Sequence, residues 1–289
     1  MARTSPVHVV SVVGARDAPL LPHFIEHYRS LGVQSFRIMC HAESPLSDQY
    51  TRLLDICREN DVKPFHSHFG PWRDKLNQRL KAYAMSRRPD DWYIVADVDE
   101  FHVYSHPVHE ILEKCEHQGA DHVNGCFLDR VGDGGRLVEI DATPLWARYP
   151  LAGSVSTGIS KALPLKTGIA RGRVELLVGH HGTVAGRGLP RSQGFIQVHH
   201  FKWTESVVRR MRQRVESLSS GRWQVEHYAL IREARAALAH LDAHQGRIDV
   251  NDRGLRLAHC GRDYADHPQW DQIIDESEGW AWTLTYASG

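Results

Sequence analysis

The chain has 289 residues, with 35 Lys plus Arg balanced by 35 Asp plus Glu, so it is long enough for a sizeable core and carries no excess charge to attract nucleic acid. Its five cysteines (Cys40, Cys57, Cys115, Cys126, Cys260) are odd in number and form no C-x-x-C pair. They fit reduced thiols and a cytoplasmic setting, and the apolar run Val7 to Val13 is too short for a membrane span or a signal peptide.

In chain order, Val7 to Val13 is β-branched and followed by Gly14-Ala15-Arg16-Asp17, the pattern of a buried strand ending in a loop. Leu20, Phe24, Ile25, Tyr28 and Leu31 recur at helical spacing, and Gly32 stands where a helix C-cap belongs. Ser35 to Cys40 predicts a second strand, Tyr50 to Arg58 a helix, Val62 to His66 a short strand and Leu76 to Met85 another helix. Trp92 to Ala96 is a wholly apolar strand that delivers Asp97-Val98-Asp99-Glu100 at its end. A helix over 107–116, a strand over 122–128 and the Gly-rich turn Gly132 to Gly135 come next. Residues 141–194 are irregular; a strand over 195–201 and helices over 204–218 and 225–244 follow. Strands alternating with helices predict an α/β fold with a mostly parallel central sheet flanked by helices, over residues 1–203. Residues 204–289 are expected to pack on it as a C-terminal helical appendage.

The acidic strand end carries the chemistry. Carboxylates at i and i+2 of an extended strand point the same way, so Asp97 and Asp99 are expected to share one site while Val98 anchors in the core. Such hard oxygen ligands suit Mg2+ or Mn2+, which bind through one or two carboxylates plus substrate phosphates. The segment Trp92 to Phe101 resembles the D-x-D-E-F stretch of glycosyltransferases similar to family 2. Leu21 to Val33 resembles the first helix of that group, and Val198-His199-His200-Phe201-Lys202-Trp203 a motif downstream of its sheet. The resemblance spans roughly the first 200 residues. It implies a GT-A fold, a nucleotide-diphosphate sugar donor (UDP-sugars being the commonest), a hydroxyl acceptor, a divalent metal and mostly inverting transfer. One departure is that the loop after the first strand reads Ala15-Arg16-Asp17 where the group usually has Asn-Glu.

Carried over on matching positions, the resemblance makes Gly14, Ala15, Arg16, Asp17 and Glu43 candidates for nucleoside contacts. It does the same for Arg73, Lys75, Asn77 and Lys202 at the diphosphate, and for Asp97, Asp99 and His200 as metal ligands. Adjacent strand residues face opposite sides, so only one of His199 and His200 faces a site. His180 and His181 form a second pair, between glycines, for which a hydrogen-bonded structural role is the simpler reading. An inverting reaction needs a carboxylate base. Asp129, Asp133, Glu139 and Asp141 follow the strand after the acidic motif, and Asp129 and Asp133 are the candidates retained. The acceptor, whether a glycan, a lipid head group or a small natural product, is not written in these residues. Two other readings stay open: a metal-dependent phosphoryl or nucleotidyl transferase or hydrolase, and a catalytically silent sugar-binding protein of the same fold. No Walker G-x-x-x-x-G-K-[ST] loop is present to favour the former.

Overall fold

The computed structural model describes residues 6–73, 75–223 and 229–286, with 280–286 described by backbone alone. Strand β1 (Val7–Gly14) leads through a 3-10 turn at Ala18–Leu20 into α1 (Leu21–Ser30), where Pro22 starts the helix without needing its missing N–H and Gly32, at φ +86°, ends it. β2 (Ser35–Ala42), α2 (Asp48–Glu59), β3 (His66–Phe69), α3 (Leu76–Ser86) and β4 (Trp92–Val95) follow. The Ser47 side chain caps α2 by accepting from the Tyr50 N–H. β3 starts four residues later than the β-branched pattern suggests, because Pro64 has no N–H to give a ladder and the Val62 N–H closes α2 on Cys57 O. The chain continues through β5 (Glu100–Tyr104), α4 (Val108–Gln118), β6 (His122–Val131), α5 (Leu145–Arg148), β7 (Leu151–Gly153), α6 (Val155–Ser160), β8 (Leu165–Arg171), β9 (Ile196–His200), α7 (Val207–Ser219), α8 (Ala229–Ala243), β10 (Ala258–His259) and α9 (Trp270–Tyr286). The expected start of α8 at Val225 lies outside the described residues.

The result is a mixed α/β fold, with strands and helices organised in two compact units. The first contains the chain up to Gly125 and residues 166–196; the second contains residues 126–165 and the chain from Gln197 onward.

In the first unit β3, β2, β1 and β4 are adjacent in that order and all parallel, with β8 antiparallel beside β4. β1 is buried almost throughout, as a strand covered on both faces must be. On one face Val10, Val12, Met39, Tyr93 and Val95 pack against Leu76, Leu80, Ala84 and Met85 of α3. Strand order runs outward from β1 to β3 and then returns to place β4 on the other side of β1. That reversal opens a crevice at the carboxyl ends of β1 and β4, the position where open α/β sheets bind ligands.

In the second unit β6, β7 and β10 are antiparallel, Asp129 pairing with Gly153 and Ala258 with Ala152. Its core joins Val131, Leu151, Val155 and Trp203 to Val207 and Met211 of α7 and Ala234, Ala237 and Leu241 of α8. Among the described residues no helix is long and apolar enough to cross a membrane.

Candidate active site

The crevice of the first unit is built by loops that the parallel ladder brings to one end. Gly14 ends β1, Ala15 N–H donates to His41 O, and Arg16 stands 3.9 Å from Glu43 beyond β2. The candidate nucleoside residues Gly14, Ala15, Arg16, Asp17 and Glu43 thus share one rim. Arg73 and Lys75 precede α3 and Asn77 lies in its first turn.

The acidic segment is not the extended strand end that the i, i+2 spacing implies. β4 stops at Val95, and residues 97–100 make a tight turn in which Glu100 N–H donates to Asp97 O at 2.9 Å. The turn is closed a second time, by Asp97 N–H donating to Glu100 Oε2 at 3.0 Å. Asp97 therefore faces Glu100 rather than sharing a strand face with Asp99, while Val98 is buried as expected. Helix α1 fixes the start of β5: Tyr28 donates its hydroxyl proton to Glu100 O, His27 Nε2 donates to His102 O, and Phe24 meets Phe101 edge-on. Two of the segments that carry the family resemblance are thus in direct contact.

Around the turn lies a buried cluster of five ionisable groups. Glu100 Oε1 accepts from Lys166 Nζ at 2.8 Å and Oε2 from His180 Nε2 at 2.9 Å. Lys81 Nζ donates to Asp97 Oδ1 at 2.8 Å and to His180 Nδ1 at 3.1 Å, and Lys166 Nζ also donates to Gly179 O. Burial, then the charges of Lys166 and Lys81, push His180 down to about 4, so the ring is neutral with its single proton on Nε2. Burial alone raises the Glu100 carboxyl; Lys166, His180 and Lys81 overturn that and hold it well below the usual range. Asp97 is likewise lowered against burial, chiefly by Lys81. Lys166 is raised despite burial by Glu100, Asp97 and, at longer range, Asp99. His180 sits at φ +47° after Gly179 at +67°, left-handed backbone that a histidine adopts at a cost of about 1–3 kcal/mol. Its two ring hydrogen bonds offset that cost.

Asp97, Glu100 and His180 offer ligand atoms within 4.8 Å of one another. Glu100 and His180, however, have both side-chain acceptor or donor positions engaged inside the cluster, and their side chains are 1% and 2% exposed. Asp97 is 28% exposed and gives only Oδ1 to Lys81. Of the three, Asp97 alone has an open side from which a divalent ion could be held, while Glu100 and His180 are spent on the two ammonium groups and on the turn itself. Lys81 and Lys166 are the members that motif reading passes over, since a lone lysine on a helix and another on a short strand have no local signature, and His180 takes the hydrogen-bonded place that its glycine-flanked pair suggested.

In the second unit Asp129 is wholly buried, Oδ1 accepting from Ser156 Oγ (2.7 Å) and His200 Nδ1 (2.9 Å), and Oδ2 from the Ser156 N–H. Burial raises this carboxyl, but the His200 hydrogen bond and charge, with Lys202, leave it below its ordinary value. A carboxylate so enclosed holds β6, α6 and β9 together and has no open face for an acceptor hydroxyl. Asp133 lies exposed in a 3-10 turn, 3.9 Å from Arg136. His200 is committed to Asp129 through Nδ1, His199 accepts from Arg130 Nε, and Lys202 lies over the Trp203 ring at 5.4 Å.

The fold and site define an α/β protein with a charged crevice at the switch point of a parallel sheet. No family profile and no curated protein matches the chain. Solved structures similar to it include Staphylococcus aureus TarS 1–349, at 9% identity and TM-score 0.36 over 82% of this chain and 72% of that one. The same protein in complex with UDP-GlcNAc aligns at 11% identity and TM-score 0.35, over 94% and 80%. A putative glucose-1-phosphate thymidylyltransferase from Bacillus anthracis aligns at 11% identity and TM-score 0.30, over 80% and 95%. Superpositions this loose place no residue of this chain by analogy.

Proposed function

We propose that the chain is a glycosyltransferase that takes a sugar from a nucleoside-diphosphate donor, a UDP-sugar in the first instance, to a hydroxyl acceptor. The observation that carries this reading is the Asp97–Glu100 turn, set where the order of a parallel sheet reverses and backed by two buried ammonium groups. Parallel sheets present nucleotides at that position. A departing nucleoside diphosphate needs positive charge there.

In this reading the rim formed by Gly14 to Asp17 and Glu43 receives the nucleoside, Arg16 and Glu43 being near enough to orient each other. Arg73, Lys75 and Asn77 approach the diphosphate from the start of α3. Asp97 would hold a divalent ion, Mn2+ or Mg2+, from the open side of the turn; Asp99, expected from the motif as a second ligand, is not in the same cluster. When bound, that ion offsets the charge developing on the leaving diphosphate. Lys81 and Lys166 keep Asp97 and Glu100 ionised; Lys81, itself held by His180, aims the Asp97 carboxylate, and Glu100 closes the turn on the Asp97 N–H.

The test is a thermal-shift series with UDP, UDP-sugars and other nucleoside diphosphates, each with Mn2+, Mg2+ or chelator. The expected result is a rise in melting temperature for at least one nucleotide, larger with metal and abolished in Asp97→Asn. Turnover with a sugar acceptor should then release UDP. Release of pyrophosphate instead would move the assignment to nucleotidyl transfer, and no stabilisation by any nucleotide would sink it.

A further inference from the structure

The first unit holds a cavity of about 480 Å3 at the amino ends of β1, β2 and β4, the opposite edge of the sheet from the crevice. Its walls are the loop between α1 and β2, the first residues of β1 and β4, and one stripe of α4 on which Val108, Leu112 and Glu116 recur at four-residue spacing. The volume falls within the range of small-molecule sites. The walls are fixed by backbone hydrogen bonds. Leu31 and Val33 N–H both donate to Tyr28 O, Gly32 turns the chain between them at φ +86°, and Trp92 N–H donates to Pro6 O at 3.2 Å.

The lining is sorted by polarity. Val33, Trp92, Val108 and Leu112 are buried and make an apolar floor, whereas His109 and Glu113 are exposed and stand at the mouth. The one polar atom of the Trp92 ring is engaged, since Nε1–H donates to Glu116 Oε1 at 3.0 Å, so the indole presents carbon to the cavity. Charge at the mouth is one-sided. Among the described residues no lysine or arginine lines the cavity. Glu116 is balanced by Arg171, whose Nη2 donates to the same Oε1, and that guanidinium lies 4.2 Å over the Trp92 ring. Glu113 has no ion-pair partner among the described residues. Low-dielectric walls focus the field of such a carboxylate toward the opening. The complementary occupant therefore carries one positive charge on an apolar body.

We propose that this cavity binds a small organic monoammonium compound, with its apolar body between Trp92 and the Val108–Leu112 stripe and its ammonium at the Glu113 carboxylate. The site lies away from the acidic turn and the donor crevice, and it stands whether or not the chain transfers sugars.

NMR titration of the full chain with tryptamine, and with tryptophol as the neutral analogue bearing a hydroxyl in place of the ammonium, tests it. The titrations are run at about pH 8, where an imidazole is neutral and an alkylamine still charged. The reporter is the Trp92 indole N–H resonance, assigned by its loss in Trp92→Phe. Tryptamine should shift it saturably and bind about 5-fold or more tightly than tryptophol, the worth of one charge-assisted contact at a partly exposed mouth. Asp97→Asn should bind tryptamine as the parent does. Glu113→Gln, at an exposed position, should keep the parent's melting temperature and bring tryptamine down to the level of tryptophol. If that variant melts early, the comparison of the two ligands on the parent decides. An unmoved Trp92 resonance, equal binding of the two ligands by the parent, or a preference for tryptamine that survives in a folded Glu113→Gln overturns the proposal.

Discussion

Glu100 and Lys166 illustrate how much of this site is a matter of charge compensation. A carboxylate 1% exposed and an ammonium 6% exposed survive in the interior because each supplies the other's missing solvation, with His180 and Gly179 O satisfying the remaining positions. Removing one partner strands the other. Lys166→Met and Glu100→Gln should each cost about 3–5 kcal/mol of unfolding free energy, while the double variant costs far less than their sum. Urea denaturation of the four proteins gives the coupling. Additive costs below about 1 kcal/mol each would mean that the pair is solvated and the cluster is not as tightly built as its distances indicate. At this scale the sequence was half legible. The acidic run after an apolar strand announced Asp97 to Glu100, because a strand-end acid cluster is a local pattern. Lys81, Lys166 and His180 reach that cluster from a helix, another strand and a glycine-flanked turn, and only folding shows that their charges meet. Asp129 reversed in the same way: its type suggested a base, and its neighbours Ser156 and His200 use up both oxygens.

The elements depend on close backbone approach as much as on apolar pattern. Gly125 in β6 is a sharp case in the first unit: a Cβ there would lie 2.4 Å from Ile196 O and 2.7 Å from Ile196 Cβ. Gly125→Ala must push a strand aside, at about 1–3 kcal/mol or more. Gly119, the C-cap of α4, is the useful comparison, since a Cβ there meets open space and only its φ of +61° is unfavourable. Gly119→Ala should cost about 1–2 kcal/mol. Thermal melts of the two variants side by side should rank Gly125→Ala as the more damaging; the reverse order would show that β6 and the chain at Ile196 yield easily. Most of α1 to α4 and β1, β2 and β4 could be read from β-branched runs, helical spacing and Gly punctuation. β5 and β8 could not. β5 starts within the acidic run, which reads as the extended end of the preceding strand, and β8 contains Lys166, Thr167 and Gly168, polar or small residues buried because the site and Ile196 lie against them. The short α5, α6 and β7 fell within the stretch that looked irregular, where elements of three to six residues leave too few periods to detect.

At the scale of the whole molecule the histidines set an acid limit on stability. Of the 20 in the chain, His8, His41, His122 and His267 are held below their ordinary value of 6.5, in each case first by burial, while His102 is pushed down to about 3 and His180 to about 4. A ring whose folded value lies below its unfolded one takes up a proton on unfolding throughout the interval between them. The unfolded state then binds more protons, so stability is full above about pH 6.5 and declines as pH falls toward the folded values. At 1.36 kcal/mol per pH unit, His102 and His180 each remove about 2 kcal/mol between pH 6.5 and pH 5. Asp97, Glu100 and Asp129, also held below their ordinary values, act in the same direction, but in a lower window, as pH falls through the carboxylate range. The two windows separate the contributions. Unfolding free energies from urea titrations should therefore drop by about 4 kcal/mol or more from pH 7 to pH 5, before the carboxylates titrate. Stability unchanged across that interval would mean that His102 and His180 are already protonated in the folded protein, and with it that the neutral imidazole beside Asp97 and Glu100 is wrong.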